Sequence, residues 1–332
     1  MNLPTRETLR LAWVREKLQD PEAALERASS DASFRSYWRA RSGGRSWVLM
    51  DAPPDREDIR PWLDIADRLI RAGLHAPDIQ AADAERGFVL MEDLGDRVLL
   101  QELRQTTVDR LYGQAMDALL RMQLRADADG LPDYDEARLV AEMELMPEWL
   151  LGRHLGFTPE CGQWDVIESA FRALVENTRR QRQVFVHRDY HSRNLLVTEV
   201  DSPGIVDFQD AVRGPITYDL VSLLRDCYIV WPEDRVYGWA EDYRLRLQGA
   251  GIAVPEADGF RRAFDLMGLQ RHVKVLGIFC RLWYRDGKAG YLQDLPRVWK
   301  YTREVGLRYP ETEGLVRLIE SAIGDRDLSL PI

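Results

Sequence analysis

The sequence predicts an α+β fold, with a small antiparallel-sheet N-terminal lobe and a larger, mainly helical C-terminal lobe. Three observations lead to this prediction. Strand-like segments are concentrated in the first 93 residues, most of the remaining chain has a helical period, and a polar turn interrupts that helical part. We therefore divide the chain into an N-terminal lobe of residues 1–93 and a C-terminal lobe of residues 94–332.

The residue patterns of the first lobe predict its elements in order. The segment MNLPTRETLRLAWVREKL is charged and amphipathic, which is typical of a surface helix and not of a signal peptide. Period-2 patterns predict strands near Leu25, at 34–40 and at 46–50, and the last two are joined by the turn RSGGR. A helical period follows over 56–74. Two further strands are predicted, around Ile79 and in the segment GFVLM.

Composition excludes several classes of protein. The chain has 332 residues and a formal net charge of −10, which argues against a general binder of nucleic acids or anionic membranes. No apolar run approaches the roughly 18 residues that a membrane span needs. The three cysteines lie far apart, so neither a zinc site nor a disulfide framework is indicated. We expect a cytoplasmic protein in a reducing environment, with no nucleic-acid or membrane partner.

A polar turn lies between two apolar runs in VFVHRDYHSRNLLV, residues 184–197. It contains His187, Asp189 and Asn194, and Asp207 follows at the end of another short apolar run. Transfer of a phosphoryl group from a nucleotide needs such a set of side chains. One carboxylate must accept the proton of the attacking hydroxyl, and further oxygen ligands must hold Mg²⁺. The pattern therefore favours a phosphotransferase.

This interpretation has a plainer alternative. The spacing H-x-D-x-x-x-x-N is by itself a weak signal, and a buried turn can use His187 and Asp189 only to satisfy backbone groups. The apolar run before Asp207 and the strand-rich first lobe favour the catalytic interpretation.

The segments VHRDYHSRN and VDFQDAVRGPITYDL resemble the catalytic and metal loops of the aminoglycoside phosphotransferase family, which is related to protein kinases. This resemblance covers about residues 25–290 and implies a two-lobed protein-kinase-like fold that uses ATP and Mg²⁺. It implies that Asp189 is the catalytic base and that Asn194 and Asp207 are the metal ligands. His187 would brace the loop, and Asp219 would bond the loop backbone from the start of a helix.

A narrower likeness lies in DFQDAVRGPITYDLVSLLRDCYI, SFRSYWRA, VLMDAPP, LMPEWL and RHVKVLGIFCRLWYRDGK. These segments resemble the branch of the family that phosphorylates the C1 hydroxyl of N-acetylmuramate and N-acetylglucosamine in cell-wall recycling. The resemblance implies a sugar as the small-molecule substrate. It also implies that the sugar 1-phosphate passes to a nucleotidyltransferase.

The nucleotide-binding residues depart from the kinase pattern. The hinge residues Glu92 to Leu94 match the family and imply backbone contacts to adenine. The third strand has Met50 where a kinase has its phosphate-binding lysine, and the loop 29–33, which ends at Ser33 and should cover the phosphates, has no glycine. Strand alternation places Arg35, Tyr37 and Arg39 on one face. Arg35 is nearest the loop, so we predict that it replaces the lysine as a phosphate ligand.

The acceptor site is predicted from a basic stripe. Arg271, Lys274, Arg281 and Arg285 fall within about 80° of one another on a helix predicted over 269–286. The carboxylate of an anionic acceptor such as N-acetylmuramate would use one or two of these cations, and Arg271, Lys274 and Arg281 are the candidates, although charged stripes are often only solvated faces. Further candidates for contacts to the sugar are Glu144, Gln209, Asp210 and Arg213.

Two other functions remain open from the sequence. The chain could phosphorylate another small alcohol, such as an aminoglycoside, choline or homoserine. It could also be a nucleotide-binding pseudokinase without activity, although the predicted base and both metal ligands are present.

Overall fold

The strands form one large and two small antiparallel sheets in the computed structural model, which describes residues 5–30 and 34–331. The larger sheet has five strands in the order β1-β2-β3-β5-β4, and the two small sheets pair β6 with β9 and β7 with β8. The strands are β1 (Ala24–Ser30), β2 (Ser36–Ser42), β3 (Arg45–Asp51), β4 (Ile79–Asp83), β5 (Phe88–Glu92), β6 (Gln183–Val186), β7 (Leu195–Leu196), β8 (Gly204–Ile205) and β9 (Val212–Pro215).

Helices make up most of the remaining described chain. A π-helical segment (Met146–His154) and a 3₁₀ helix (Ala289–Asp294) accompany the α-helices. The α-helices are α1 (Arg6–Leu18), α2 (Arg60–Arg71), α3 (Leu99–Glu102), α4 (Val108–Arg125), α5 (Glu136–Met143), α6 (Cys161–Arg179), α7 (Tyr218–Leu224), α8 (Glu233–Gly249), α9 (Ala257–Tyr284), α10 (Leu295–Gly306) and α11 (Pro310–Ile323).

The chain divides into two compact units. One comprises the residues up to Thr107 together with Arg193–Gln209, and the other comprises Val108–Ser192 and Asp210–Ile332. The segment 193–209 belongs to the first unit through backbone bonds, since Val197 N donates to Arg97 O at 2.8 Å and Ile205 N donates to His75 O at 2.8 Å. The lobe boundary predicted at residue 93 stays a prediction.

In the first unit the two faces of the large sheet have different partners. Alternation sends Ala40, Leu49 and Phe88 to one face, where they pack with Trp13 of α1. The rings of Trp13 and Phe88 are 5.5 Å apart. Tyr37, Arg39 and Val48 project to the other face, where they line a cavity. The predicted common face of Tyr37 and Arg39 is therefore confirmed.

The second unit is built around the 28-residue helix α9, which contacts α5 to α8, α10 and both the π-helical and 3₁₀ segments. Many of its side chains are buried over several turns, including Phe264, Leu276 and Cys280. A helix that is apolar on most sides is typical of a buried central element. The predicted helix 269–286 was right in type, but α9 begins twelve residues earlier at Ala257.

The predicted fold class is confirmed, with a small antiparallel sheet and a larger helical part. The strand predictions in the first unit were confirmed within a few residues. Strand β9 was not predicted, because its sequence VRGP contains Gly214 and Pro215, which disfavour strands in isolation. Its pairing with β6 provides the partner that the local sequence cannot indicate.

Candidate active site

A cavity of about 590 Å³ lies within the first unit. The large sheet, the segment after β5 and the segment 193–208 contribute its walls. Among its apolar lining residues, Trp62 and Phe208 have ring centroids 5.0 Å apart. A largely preformed cavity with an apolar lining and a few polar groups is typical of a small-molecule site.

Both predicted hinge residues line this cavity. Glu92 ends β5, its N–H donates to Asp78 O at 2.8 Å, and its carboxylate lies 3.2 Å from His75 Nε2. The Leu94 side chain packs closely against Gly204, since a Cβ built on Gly204 would lie 3.0 Å from Leu94 Cδ1. Among the described residues the Leu94 N–H has no backbone hydrogen-bond partner, and its predicted contact to adenine stays a prediction.

Arg39 lines the cavity, a role that the sequence did not single out. Its guanidinium forms a bidentate pair with Asp93, at 2.6 and 3.0 Å. Partial burial by itself would raise the pKa of Asp93, but hydrogen bonds from Arg39 and Ser46 lower it overall. The one available signal was the alternation that places Arg39 on the face of Tyr37.

Arg35, the predicted phosphate ligand, lies just before β2 and is 8% exposed. Its Nε is 3.2 Å from Glu57 Oε1. Ser33 lies outside the described residues. The assignment of Arg35 as a phosphate ligand therefore stays a prediction. A bound phosphate would have to compete with Glu57 for the Arg35 guanidinium.

The two predicted metal ligands meet at one side of the cavity. Asn194 Nδ2 lies 3.1 Å from Asp207 Oδ2, and Gln209 Nε2 donates to Asp207 Oδ1 at 2.9 Å. Asp207 has φ of +63°, an uncommon conformation for a residue other than glycine. One carboxylate and one amide oxygen, both hard donors, fit Mg²⁺, which is usually held by one or two protein ligands together with substrate phosphates.

No group of three or more His, Cys, Asp or Glu side chains suited to a metal ion occurs in residues 5–30 and 34–331.

The predicted catalytic loop begins where β6 ends, in the second unit. Asp219 Oδ2 accepts a hydrogen bond from His187 N at 2.7 Å, and Asp219 Oδ1 accepts one from Arg188 N at 3.0 Å. Arg188 has φ of +75°, so these two bonds support a backbone turn that is unfavourable by itself. His187 is buried, and its Nδ1 accepts a bond from Asp189 N at 3.2 Å. The predicted bracing roles of His187 and Asp219 require contacts of this kind, and the roles themselves stay predictions.

Asp189 lies in a positively charged environment. Loss of solvation would by itself raise its pKa, but Lys274, His191 and Arg271 together lower the pKa below its ordinary value of 3.8. The carboxylate is therefore ionised near neutral pH and can accept a hydrogen bond from a hydroxyl.

A buried network of charges supports the loop that carries Asp189. The Arg188 guanidinium and Lys274 Nζ both contact Glu142 of α5, and Lys274 lies 3.0 Å from its Oε1. Arg271 Nη1 donates to Arg188 O at 2.9 Å. The hydroxyl of Tyr218 accepts hydrogen bonds from both Arg271 and Lys274, at 3.3 Å each. Arg271 and Lys274, two of the four predicted cations, thus share one face of α9. Arg271 contacts the catalytic loop, and Lys274 acts electrostatically on Asp189 in that loop.

Glu142 was missed by sequence reasoning, which named Glu144. The structure places Glu144 exposed at the end of α5, whereas Glu142 lies inside the network. Glu142 follows the buried Leu139 by three positions, so it flanks the apolar face of its helix. That spacing was the available signal for Glu142.

The remaining candidates are more exposed. Asp210 is exposed, and Arg213 Nη1 lies 3.8 Å from Asp133 Oδ1 in a largely exposed pair. Arg281 is half-buried on α9. His191, which the sequence suggested to be structural, packs its ring edge-on against Tyr228 at 5.5 Å.

The fold and these loops define a phosphotransferase, and comparison with known proteins agrees. The model of the phosphotransferase enzyme family matches residues 24–260. The chain belongs to this family, and it is an enzyme of the kinase class.

Curated relatives are similar over nearly their whole length. An N-acetylmuramate/N-acetylglucosamine kinase of Pseudomonas putida is 46% identical over 319 residues, which cover 92% of this chain and 94% of the relative. A protein of the same name from Neisseria meningitidis serogroup B is 39% identical over 322 residues, covering 95% and 96% of the two chains.

Solved structures show the same fold at low sequence identity. An ADP-bound aminoglycoside phosphotransferase has a TM-score of 0.59 at 12% identity, over 90% of this chain and 99% of that one. A choline/ethanolamine kinase family protein from Mesorhizobium loti has a TM-score of 0.63 at 14% identity, over 96% and 100%. The predicted kinase-like fold is therefore confirmed.

Hydropathy adds one further finding. None of the described helices is long and apolar enough to cross a membrane.

Proposed function

We propose that this enzyme transfers the γ-phosphoryl group of ATP to the C1 hydroxyl of N-acetylmuramate and N-acetylglucosamine. The observation that carries the proposal is the shared name of the curated relatives, which are 39–46% identical over more than nine-tenths of this chain. The cationic surroundings of Asp189 add support, because they suit an anionic acceptor and disfavour a polycationic aminoglycoside.

Asp189 acts in this proposal as the catalytic base. As an ionised carboxylate it would orient the C1 hydroxyl and accept its proton as the bond to phosphorus forms. Two groups keep the loop in shape. Asp219 holds the backbone N–H groups of His187 and Arg188, and the His187 ring receives the N–H of Asp189. His187 and Asp219 therefore position the base without contacting the substrate.

The first unit would bind the nucleotide. The backbone at Glu92 and Leu94 would contact the base, Arg35 and the loop ending at Ser33 would meet the phosphates, and Arg39 lines the same cavity. Asn194 and Asp207 would hold Mg²⁺, which neutralises phosphate charge when bound. An ATP-dependent step of this kind belongs in the cytoplasm, where ATP is supplied.

Most of the proposed acceptor contacts belong to the second unit. Arg271 and Lys274 lie beside the catalytic loop. Asp210, Arg213 and Glu144 of the same unit are weaker candidates, as is Gln209, which ends the first unit. The product, a sugar 1-phosphate, is a substrate for transfer of a nucleotidyl group, so we place a nucleotidyltransferase next in the sequence of reactions.

A panel of acceptors tests this function. ADP release would be measured with N-acetylmuramate, N-acetylglucosamine, kanamycin and choline, with the Asp189→Asn variant as the blank. The proposal expects activity with the two amino sugars, a product phosphorylated at C1 by ³¹P NMR, and almost none from the folded variant. Turnover only with kanamycin or choline would overturn the substrate assignment. ATP binding without turnover on any acceptor would favour a pseudokinase.

A further inference from the structure

The four cations of the α9 stripe differ in their partners. Arg271 donates to the Arg188 carbonyl at 2.9 Å, and Lys274 pairs with Glu142 at 3.0 Å. Both are buried and committed to the catalytic loop. Arg285 is exposed and pairs with the neighbouring Asp286 at 2.8 Å. Three of the four charges are thus balanced or held within the second unit.

Arg281 differs from the other three. The Nε of Arg271 is also buried without a partner, but Arg271 has hydrogen bonds through Nη1, whereas the guanidinium of Arg281 has neither a hydrogen bond nor an ion pair among the described residues. Arg281 is half-buried, and its buried Nε has no hydrogen-bond partner within the part of the chain that the structure describes. No carboxylate of those residues lies within ion-pair distance of it. A buried N–H donor without a partner is unfavourable, so an acceptor atom of a ligand would stabilise this side chain.

The electrostatic surroundings of Arg281 also favour the binding of an anion. Burial lowers the pKa of its guanidinium, and the positive charge of Arg285 lowers it further, against weaker opposite effects of Asp286 and Glu148. A bound carboxylate would supply the missing acceptor and the missing countercharge together.

The position of Arg281 on α9 relates it to the catalytic base. It follows Lys274 by seven residues, so both lie on one face of the helix, separated by about 10 Å of helix rise. Lys274 is among the charges that act directly on Asp189. An acceptor whose reacting hydroxyl is at Asp189 would therefore extend along α9 toward Arg281.

We propose that Arg281 binds the carboxylate of the lactyl ether of N-acetylmuramate and so determines the preference between the two amino sugars. This inference rests on the proposed function. The lactyl group is attached at C3, two ring carbons from the reacting C1, and N-acetylglucosamine has only a hydroxyl there. A cation at this place therefore acts on one sugar and not on the other.

The structure explains why Arg271 and Lys274 are less suited to this role. Each contacts the network beneath the catalytic loop, so removing either would disturb Asp189 and lower activity on both sugars. Arg281 makes no such contact among the described residues, so its removal can change specificity alone.

The decisive experiment compares Arg281→Ala with Arg285→Ala on both sugars. Loss of a charge-assisted hydrogen bond predicts a drop of about ten- to a hundredfold in kcat/KM for N-acetylmuramate. For N-acetylglucosamine we expect a change of less than about twofold. Arg285→Ala, one turn further along, should leave both values unchanged, and Arg281→Lys should restore part of the activity on N-acetylmuramate.

The controls separate this inference from the proposed function. Melting curves check that each variant is folded, and Arg281→Gln serves if the alanine variant is not. If the parent uses both sugars and the Arg281 variant lowers both equally, or neither, the inference is overturned while the function stands. A parent that accepts only N-acetylglucosamine also overturns the inference, and a parent inactive on both sugars overturns the function itself.

Discussion

Arg188 shows how a single residue can be held in an unfavourable conformation by its neighbours. Its φ of +75° costs energy in a residue with a side chain, and two N–H bonds to Asp219 hold the turn. The side chain of Arg188 pairs with Glu142, and its carbonyl accepts from Arg271. The backbone N–H, the backbone carbonyl and the guanidinium of this residue thus each make a contact that shapes the loop around Asp189.

Replacement of Asp207 tests the metal ligands. We expect Asp207→Ala to raise the Mg²⁺ concentration needed for half-maximal rate, or to abolish activity, because a hard cation loses its charged oxygen ligand. Asn194→Ala should have a smaller effect in the same direction, since an amide contributes a dipole and no charge. Rates titrated against Mg²⁺ measure both. An unchanged Mg²⁺ dependence in Asp207→Ala would place the metal elsewhere.

Replacement of Glu142 offers a second test, with a matched control two residues away. Glu142→Gln leaves Lys274 and Arg188 buried without their countercharge, which should lower stability by about 3–5 kcal/mol. Burial lowers the pKa of Lys274, and Tyr218 and Glu142 raise it above 10.5, so its pKa should fall in the variant. We therefore also expect activity to decline at alkaline pH where the parent remains active.

The control for that variant is Glu144→Gln. Glu144 is exposed, so its melting temperature and pH profile should match those of the parent. If the two glutamine variants behave alike, the network does not position Asp189.

Among the elements, helix α9 depends on a close approach to another segment. A Cβ on Gly277 would lie 2.2 Å from the backbone carbon of Leu145, next to the π-helical segment. Only glycine allows α9 to pack this closely there. This contact fixes the path of the helix that carries Arg271, Lys274 and Arg281.

Gly277→Ala should therefore be destabilising. Overpacking of a tight contact costs about 1–3 kcal/mol, which outweighs the gain in helix propensity from alanine. Gly113 in α4 is the control, because its Cβ position has open space among the described residues. We expect Gly113→Ala to be neutral or to stabilise by about 0.5–1 kcal/mol. Thermal melts that rank the two variants in the opposite order would contradict the contact.

For the whole molecule, Asp219 links protonation to folding. Burial raises its pKa to about 7, above the ordinary 3.8, although its two backbone donors and Arg271 oppose this. Between these two pKa values the Asp219 carboxyl is protonated in the folded chain and ionised in the unfolded chain. The contribution of this proton to the free energy of unfolding is fully present below the unfolded pKa and is lost as pH rises through about 7.

Asp219→Asn removes this dependence. Relative to the parent, the variant should gain stability between about pH 5 and 7, by up to roughly 1.4 kcal/mol per pH unit. The difference between the two proteins is the useful quantity, because burial lowers the pKa of His272 to about 3 and so gives both proteins an opposite slope. A difference in stability that is independent of pH would show that Asp219 is ionised throughout this range.

Local patterns in the sequence determined most of the elements and the core of the catalytic motif. Strand alternation and helical period are set by neighbouring residues, so β2, β3, β5 and α2 were predicted within a few residues. His187, Asp189 and Asn194 lie within one turn of chain, and their chemistry is visible in their spacing. The resemblance to a family then supplied their expected roles.

Tertiary structure alone decided which distant charges meet. Arg39 and Asp93 are 54 positions apart, Arg188 and Glu142 are 46 apart, and Arg271 and Arg188 are 83 apart. No local period relates such residues, because their pairing depends on how helices and strands pack and not on the order of neighbours. For that reason the sequence could mark α9 as basic, but only the packed structure separates Arg271 and Lys274, which are bound to the catalytic loop, from Arg281.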